Sequence, residues 1–195
     1  VSQPIGMRVN SEGIEARFAG RTVSGLAELA TRLPVQAIDP EVHRLVDGGP
    51  QERRRYLDWG VFHVEPRFVD HWRRYQRALR QRNAALRASQ ASRRSAKGVP
   101  SIRATLARRL AELRAGQAPQ LVRAWDPELL EAAEVVASHR QRYLDRLRVA
   151  VGSVGHRLLG LGIDLGLSRG WPADRSLHEA LEASFVRDRE RGLTH

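Results

Sequence analysis

The groups with the most chemistry to offer in this chain are guanidiniums. Lys97 is the only lysine among 33 basic residues, and fifteen of these 33 lie between Arg67 and Arg123 against just two acids, Asp70 and Glu112. The formal charge of +11 is therefore concentrated in one stretch, and the rest of the chain is slightly acidic. Guanidinium stays charged at any working pH and presents a rigid fork of donors that matches phosphate oxygens. A clustered basic field raises encounter rates with polyanions and displaces their counterions, so nucleic acid is the first partner to consider. The candidate phosphate contacts are Arg73, Arg74, Arg77, Arg80 and Arg82 in the basic stretch, with Arg53 and Arg54 before it. No base-reading motif accompanies them, which points to backbone recognition. The plainer alternative is a solvated helix face in an arginine-biased chain.

Catalytic and metal-binding groups are sought in vain. His63 and His71 are too far apart for one helical metal pair, and His139 and His156 have no carboxylate at relay spacing. HExxH, GxSxG and the phosphate-binding GxxxxGK[ST] are all absent. The glycines of GLGIDLG (160–166) lack the strand-then-helix setting of a phosphate loop. No catalytic or metal residue is expected. Zero cysteines exclude disulfides and suit a reducing cytoplasm. No apolar run is long enough for a membrane helix, and no signal peptide opens the chain.

Periodicity and punctuation give the elements that would position these residues. Ile5–Val9 and Ile14–Phe18 predict a β-hairpin. Ser24 caps a short helix through Ala30, Pro34–Ile38 reads as a buried strand, and Asp39-Pro40 opens a helix that Gly48-Gly49 stops. Pro50 opens another, in which Arg53, Arg54 and Arg55 fan around the axis while Tyr56, Leu57 and Trp59 anchor it. Phe68, Trp72, Tyr75, Leu79, Arg82 and Leu86 then repeat at alternating spacings of four and three, a coiled-coil seam. A second seam follows Asp126, a capping residue, and Pro127: Leu129, Ala133, Val136, Arg140, Tyr143 and Leu147. One added residue before Val151, Val154 and Leu158 marks where the two helices part. Arg82 and Arg140 are expected to snorkel to solvent. Between the helices, Ser89–Ser101 reads as a mobile linker and Ile102–Ala115 as a basic amphipathic helix broken by Gly116–Pro119. Ile163–Ser168 reads as a strand. Ser176 and Glu179 form a capping box for a last helix, Leu177–Arg191, with Leu181 and Phe185 inward and Gly192 at its end. The expected class is α+β, mainly α.

The wording of several segments is more specific than their periodicity. GGPQERR (48–54), YLDWGVFHVEP (56–66), RRYQRALRQRNAALR (73–87), DLGLSRGW (164–171) and FVRDRERGLT (185–194) occur in an order that closely resembles the RecF family of bacterial recombination mediators. The resemblance implies a helical lobe, with an antiparallel coiled-coil-like helix pair, attached to a β-containing strip of an ABC/SMC-type ATPase head. Residues 1–64 would be the edge of that head, 65–160 the lobe with its basic insertion, and 161–195 a strand and helix returning to the head. Val1 in place of an initiator and the missing phosphate loop suggest an internal piece. By the same resemblance the full protein would bind ATP and Mg²⁺, hydrolyse ATP, dimerise through its heads and bind single-stranded, gapped or junction DNA. It would act with RecO and RecR in recombinase loading and the SOS response. Asp39, three residues after Gln36, would occupy a position like that of the glutamine that approaches the nucleotide's Mg²⁺ in related ATPases, although capping alone also explains it. The alternatives from the residues themselves are a non-enzymatic basic helical module for nucleic acid and a structural dimerisation arm.

Overall fold

The computed structural model describes residues 4–11, 13–23, 25–33, 35, 43–95 and 116–194. These divide into two compact units, Val1–Arg67 and Phe68–His195.

In the first unit, β1 (Ile5–Asn10) and β2 (Gly13–Phe18) pair antiparallel with Ile5 opposite Phe18 and Asn10 opposite Gly13, as the alternation predicts. A two-residue β3 (Arg21–Thr22) continues the meander beyond Gly20, whose φ of 79° is the left-handed turn that glycine adopts without strain. Helix α1 (Leu26–Arg32) starts from Gly25 and packs on β2, with the Arg32 guanidinium 4.5 Å from the centre of the Phe18 ring. The proposed cap Ser24, all of the Pro34–Ile38 strand except Val35, and Asp39 with its helix start lie outside the described residues; Val35 is exposed and belongs to no strand, contrary to the buried strand expected there.

The GGPQERR wording has a local cause. Helix α2 (Arg44–Asp47) ends at Gly48, where a methyl group would run into the Arg44 carbonyl oxygen, and Pro50 opens α3 (Pro50–Val64) at a position that has no N–H to lose. Arg53 then reaches back from α3. Its Nη1 donates to the carbonyls of Gly48 at 2.6 Å, Val46 at 3.3 Å and Leu45 at 3.4 Å, which are acceptors that α2 leaves open at its C-terminus. Leu57 and Val61, four and eight residues further along α3, are buried in the core of this unit.

The second unit is built on the predicted helix pair. Helix α4 (Phe68–Ser95) and α5 (Asp126–Leu159) run antiparallel, because Arg82 meets Asp126, Arg74 meets Glu128 and Glu131, and Phe68 meets His139. Lengths of 28 and 34 residues correspond to roughly 42 and 51 Å. Because Phe68 lies opposite His139, the last turns of α5 have no α4 beside them, and Val149, Val154 and Leu158 are exposed. The parting thus begins near His139, about ten residues before the added residue that was expected to mark it. Helix α6 (Leu177–Arg191) packs on both, with the Ser176–Glu179 capping box present and Gly192 left-handed at its end. Ala78, Leu129 and Leu181 form one three-helix cluster, and Leu86, Val122 and Phe185 form another.

Four expectations are corrected. Helix α4 continues through Ser89–Ser95 instead of loosening into a linker, because Ser89 is buried and Gln90 Nε2 donates to the Glu190 carbonyl at 2.6 Å. Residues 96–115, including the expected amphipathic helix, lie outside the described residues. Residues 116–123 are helical rather than a break, since Ala118 and Val122 are buried. Ile163–Ser168 joins no ladder among the described residues; α5 side chains hold it, with Ile163 over Gly155 and Arg148 Nε donating to the Leu165 carbonyl. Asp126 makes no capping hydrogen bond, because Arg82 Nε takes its carboxylate at 2.7 Å.

Candidate nucleic-acid interface

The heptad spacing that buries one side of α4 also sorts its arginines. Ala78, Arg82, Leu86 and Ser89 are buried, so positions 73, 77, 80 and 87 fall on the outer side, and all four are exposed arginines. Their spacings of four, three and seven keep them on one stripe about 21 Å long. Against about 3.4 Å of rise per phosphate on one strand, such a stripe spans roughly six backbone steps. Arg73 lies 3.8 Å from Asp70, a neighbour on its own helix that is itself largely exposed. Arg80 and Arg87 have no ion pair or side-chain hydrogen bond among the described residues. Arg87 is not among the sequence-derived candidates; the 73–80 spacing carried seven residues further reaches it.

Arg74 and Arg82 are placed differently. Arg74 turns toward α5, where Nε and Nη2 hold Glu128 at 2.9 and 3.2 Å, and Nη1 and Nη2 hold Glu131 at 3.2 and 3.0 Å. These hydrogen bonds, Glu128's first, keep its pKa well above the ordinary arginine value. Arg82 corrects the snorkelling expectation outright: it is 0% exposed, with Nε on Asp126, Nη1 on Asp188 at 2.9 Å and on Thr194 Oγ1 at 2.7 Å. Its two carboxylates retain it in the interior and leave a phosphate no access. Arg140 is half-buried.

Arg53 and Arg54 are exposed but locally engaged, Arg53 on the end of α2 and Arg54 Nε on the Pro50 carbonyl at 3.2 Å. Asp39 lies outside the described residues. Among the described residues no group of three His, Cys, Asp or Glu is placed to hold a metal ion, and no helix is long and apolar enough to cross a membrane. The rings of His71 and His139, unrelated by sequence spacing, lie 6.1 Å apart and tilted by 32° between α4 and α5, and the Arg142 guanidinium lies 2.9 Å from His139 Nδ1.

Two carboxylates tie the unit to pH. The hydrogen bonds from Arg74 hold Glu128 below the ordinary value of 4.5, and those from the Ser176 backbone and hydroxyl do the same for Glu179. A depressed folded value means stability that is present above the unfolded value and lost as pH falls through the folded one. Thermal melts should therefore be level near neutrality and drop below about pH 4.5. Glu179→Gln should melt lower than wild type at neutral pH and lose less on acidification. Parallel curves for the two proteins would remove Glu179 from this account.

No family model matches the chain. It is 40% identical over 182 residues to the DNA replication and repair protein RecF of Azotobacter vinelandii, covering 93% of this chain and 43% of that protein. It is 38% identical over 192 residues to RecF of Thioalkalivibrio sulfidiphilus, covering 98% of this chain and 46% of the relative. The chain thus spans somewhat less than half the length of these relatives. Its fold superposes on a solved structure of the recombination mediator protein RecF-ATPrS in the RecFOR pathway with a TM-score of 0.75 at 16% identity, over 99% of this chain and 48% of that one. A RecF-ATP structure gives a TM-score of 0.67 at the same identity, over 94% of this chain and 46% of that one. The mainly helical fold with its small antiparallel sheet agrees with these neighbours, and the sequence matches run through nearly every described element: over the segment it spans, the chain belongs to the RecF family of DNA replication and repair proteins.

Proposed function

We propose that this chain is the nucleic-acid-facing lobe of a RecF-type repair ATPase and that Arg73, Arg77, Arg80 and Arg87 of α4 hold the phosphate backbone without reading bases. One observation carries the proposal: the arginines of α4 are sorted by face. Those turned inward, Arg74 and Arg82, are consumed by carboxylates, whereas the outward four remain exposed. A stripe whose acidic neighbours are the exposed Asp70 beside Arg73 and Glu128, which Arg77 reaches only through space, is a poor structural device and a good polyanion surface.

The rest of the reading belongs to the longer protein. It would bind single-stranded and gapped DNA, bind and hydrolyse ATP with Mg²⁺, dimerise through its heads, and assist recombinase loading and the SOS response with RecO and RecR in the cytoplasm. Residues 1–64 would belong to the edge of the ATPase head, 65–160 to the lobe, and 161–195 to the return to the head. The described residues do not fit a Mg²⁺–nucleotide site, lacking both a metal-holding cluster and the lysine-bearing phosphate loop, so no step of ATP hydrolysis is assigned to them.

Changing Arg73 and Arg77 together to Gln tests the stripe. Each phosphate neutralised contributes about −0.9 to the slope of log K against log[salt] on duplex, so the double variant should flatten the slope by roughly one to two and weaken all sequences alike. An unchanged affinity and slope would remove α4 as the DNA surface.

A further inference from the structure

The segment after α5 doubles back along it. Ile163 sits over Gly155, Leu165 receives a hydrogen bond from Arg148, and by Leu177 the chain packs on the cluster containing Leu129. Between this return segment and α5 lies a cleft of about 340 Å³, within the range of ligand-binding clefts. Its walls carry Glu134, Gln141 and Arg142 from α5, and Arg169, Trp171 and Arg175 from the return segment.

The cleft has a polarity. Glu134 and Arg142 are eight residues, about 12 Å, apart on the helix. Since the return segment runs antiparallel to α5, Arg169 falls toward the Arg142 end and Ser176 toward the Glu134 end. An anion is therefore favoured between Arg142 and Arg169, whereas at the far end Arg175 shares the wall with Glu134. Arg169 has no side-chain partner among the described residues. Arg142 is exposed and engages only an imidazole nitrogen, while Arg175 acts on Glu179 through space. Beside these guanidiniums stands the half-buried indole of Trp171, and Gln141, whose Nε2 donates to Asp145 at 2.9 Å, adds an amide with one further N–H and its carbonyl oxygen. Flat aromatic surface, an amide and a localised cationic end are together the chemistry of a base that carries a phosphate.

We propose that this cleft seats one unstacked nucleotide of a single strand, with its base against Trp171 and its phosphate between Arg142 and Arg169. The inference rests on the reading of α4 as a backbone surface and deepens it. A duplex, whose bases are stacked on one another, meets the stripe alone, while a single strand also fills the cleft and gains a preference from it.

The test compares a short oligothymidylate with a duplex of equal length by fluorescence anisotropy. Trp171→Ala should weaken single-strand binding by about tenfold, the range expected for loss of one base–aromatic stack, and leave duplex binding unchanged. Trp171→Phe should restore most of the loss. Arg169→Gln, at an exposed position, should flatten the single-strand salt slope by about 0.7 with the duplex slope intact, which keeps the proposal testable should Trp171→Ala fail to fold. Unchanged single-strand affinity in folded Trp171→Ala, or an unchanged single-strand slope in Arg169→Gln, would overturn the cleft while leaving the stripe standing. Quenching of Trp171 fluorescence by an acidic aromatic peptide but not by oligothymidylate would overturn it in favour of a protein ligand. A duplex slope unaffected by the Arg73/Arg77 change would instead sink the stripe.

Discussion

Arg82→Ala destabilises the second unit by about 3–5 kcal/mol, the cost of removing one partner of a buried ion pair. Asp188 is 0% exposed and would lose the guanidinium that lies 2.9 Å from it, while Asp126 would lose its one guanidinium donor. Arg82 also donates to Thr194 Oγ1, whose N–H and hydroxyl both donate to Asn83 Oδ1, so the chain after Gly192 is fastened to α4 through the same network. Arg82→Lys should recover little, because a single ammonium does not reproduce three directed contacts. The double change Arg82→Met, Asp188→Leu should recover most of the loss, since apolar groups of similar size replace a buried pair at little cost and Asp126 is partly exposed. Chemical denaturation of the three variants gives the comparison. A cost under about 1 kcal/mol for Arg82→Ala would mean that the network is solvated and the interior is looser than described.

Leu129→Ala should cost about 2–5 kcal/mol, because Leu129 is 3% exposed where α4, α5 and α6 meet and its truncation leaves a cavity that three helices cannot close. The seam read from spacing alone would have chosen Leu79. That residue is half-buried against the same cluster, so Leu79→Ala should fall below about 2 kcal/mol. Equal costs at the two positions, measured by urea unfolding with unchanged m-values, would contradict the three-helix packing.

Elements whose stability is local were legible in the sequence, and elements held by distant partners were not. The hairpin, the Gly48-Gly49-Pro50 junction, the Ser176–Glu179 box and the left-handed Gly192 follow from alternation, capping and backbone freedom within a few residues. Ser89–Ser95 has the composition of a linker, yet it is helical because α6 offers Gln90 a carbonyl one hundred residues away. Asp126 has the credentials of a cap, yet a guanidinium 44 residues earlier takes its carboxylate. The site divides in the same way. Exposure of Arg73, Arg77 and Arg80 follows from helical period, whereas the loss of Arg74 and Arg82 to acids on α5 and α6 depends on which helices pair and in what register. RDRERG looks like six residues of surface; Asp188 within it is wholly buried.

The most direct test of the α4 surface is arginine footprinting by a dicarbonyl reagent, with and without a saturating DNA duplex, read residue by residue by mass spectrometry. Arg73, Arg77, Arg80 and Arg87 should react in the free chain and be protected together by DNA, Arg74 should react slowly in both states, and Arg82 should stay unreactive throughout. Protection confined to Arg53, Arg54 and Arg55, or full reactivity of the four stripe arginines under saturating DNA, would contradict the account.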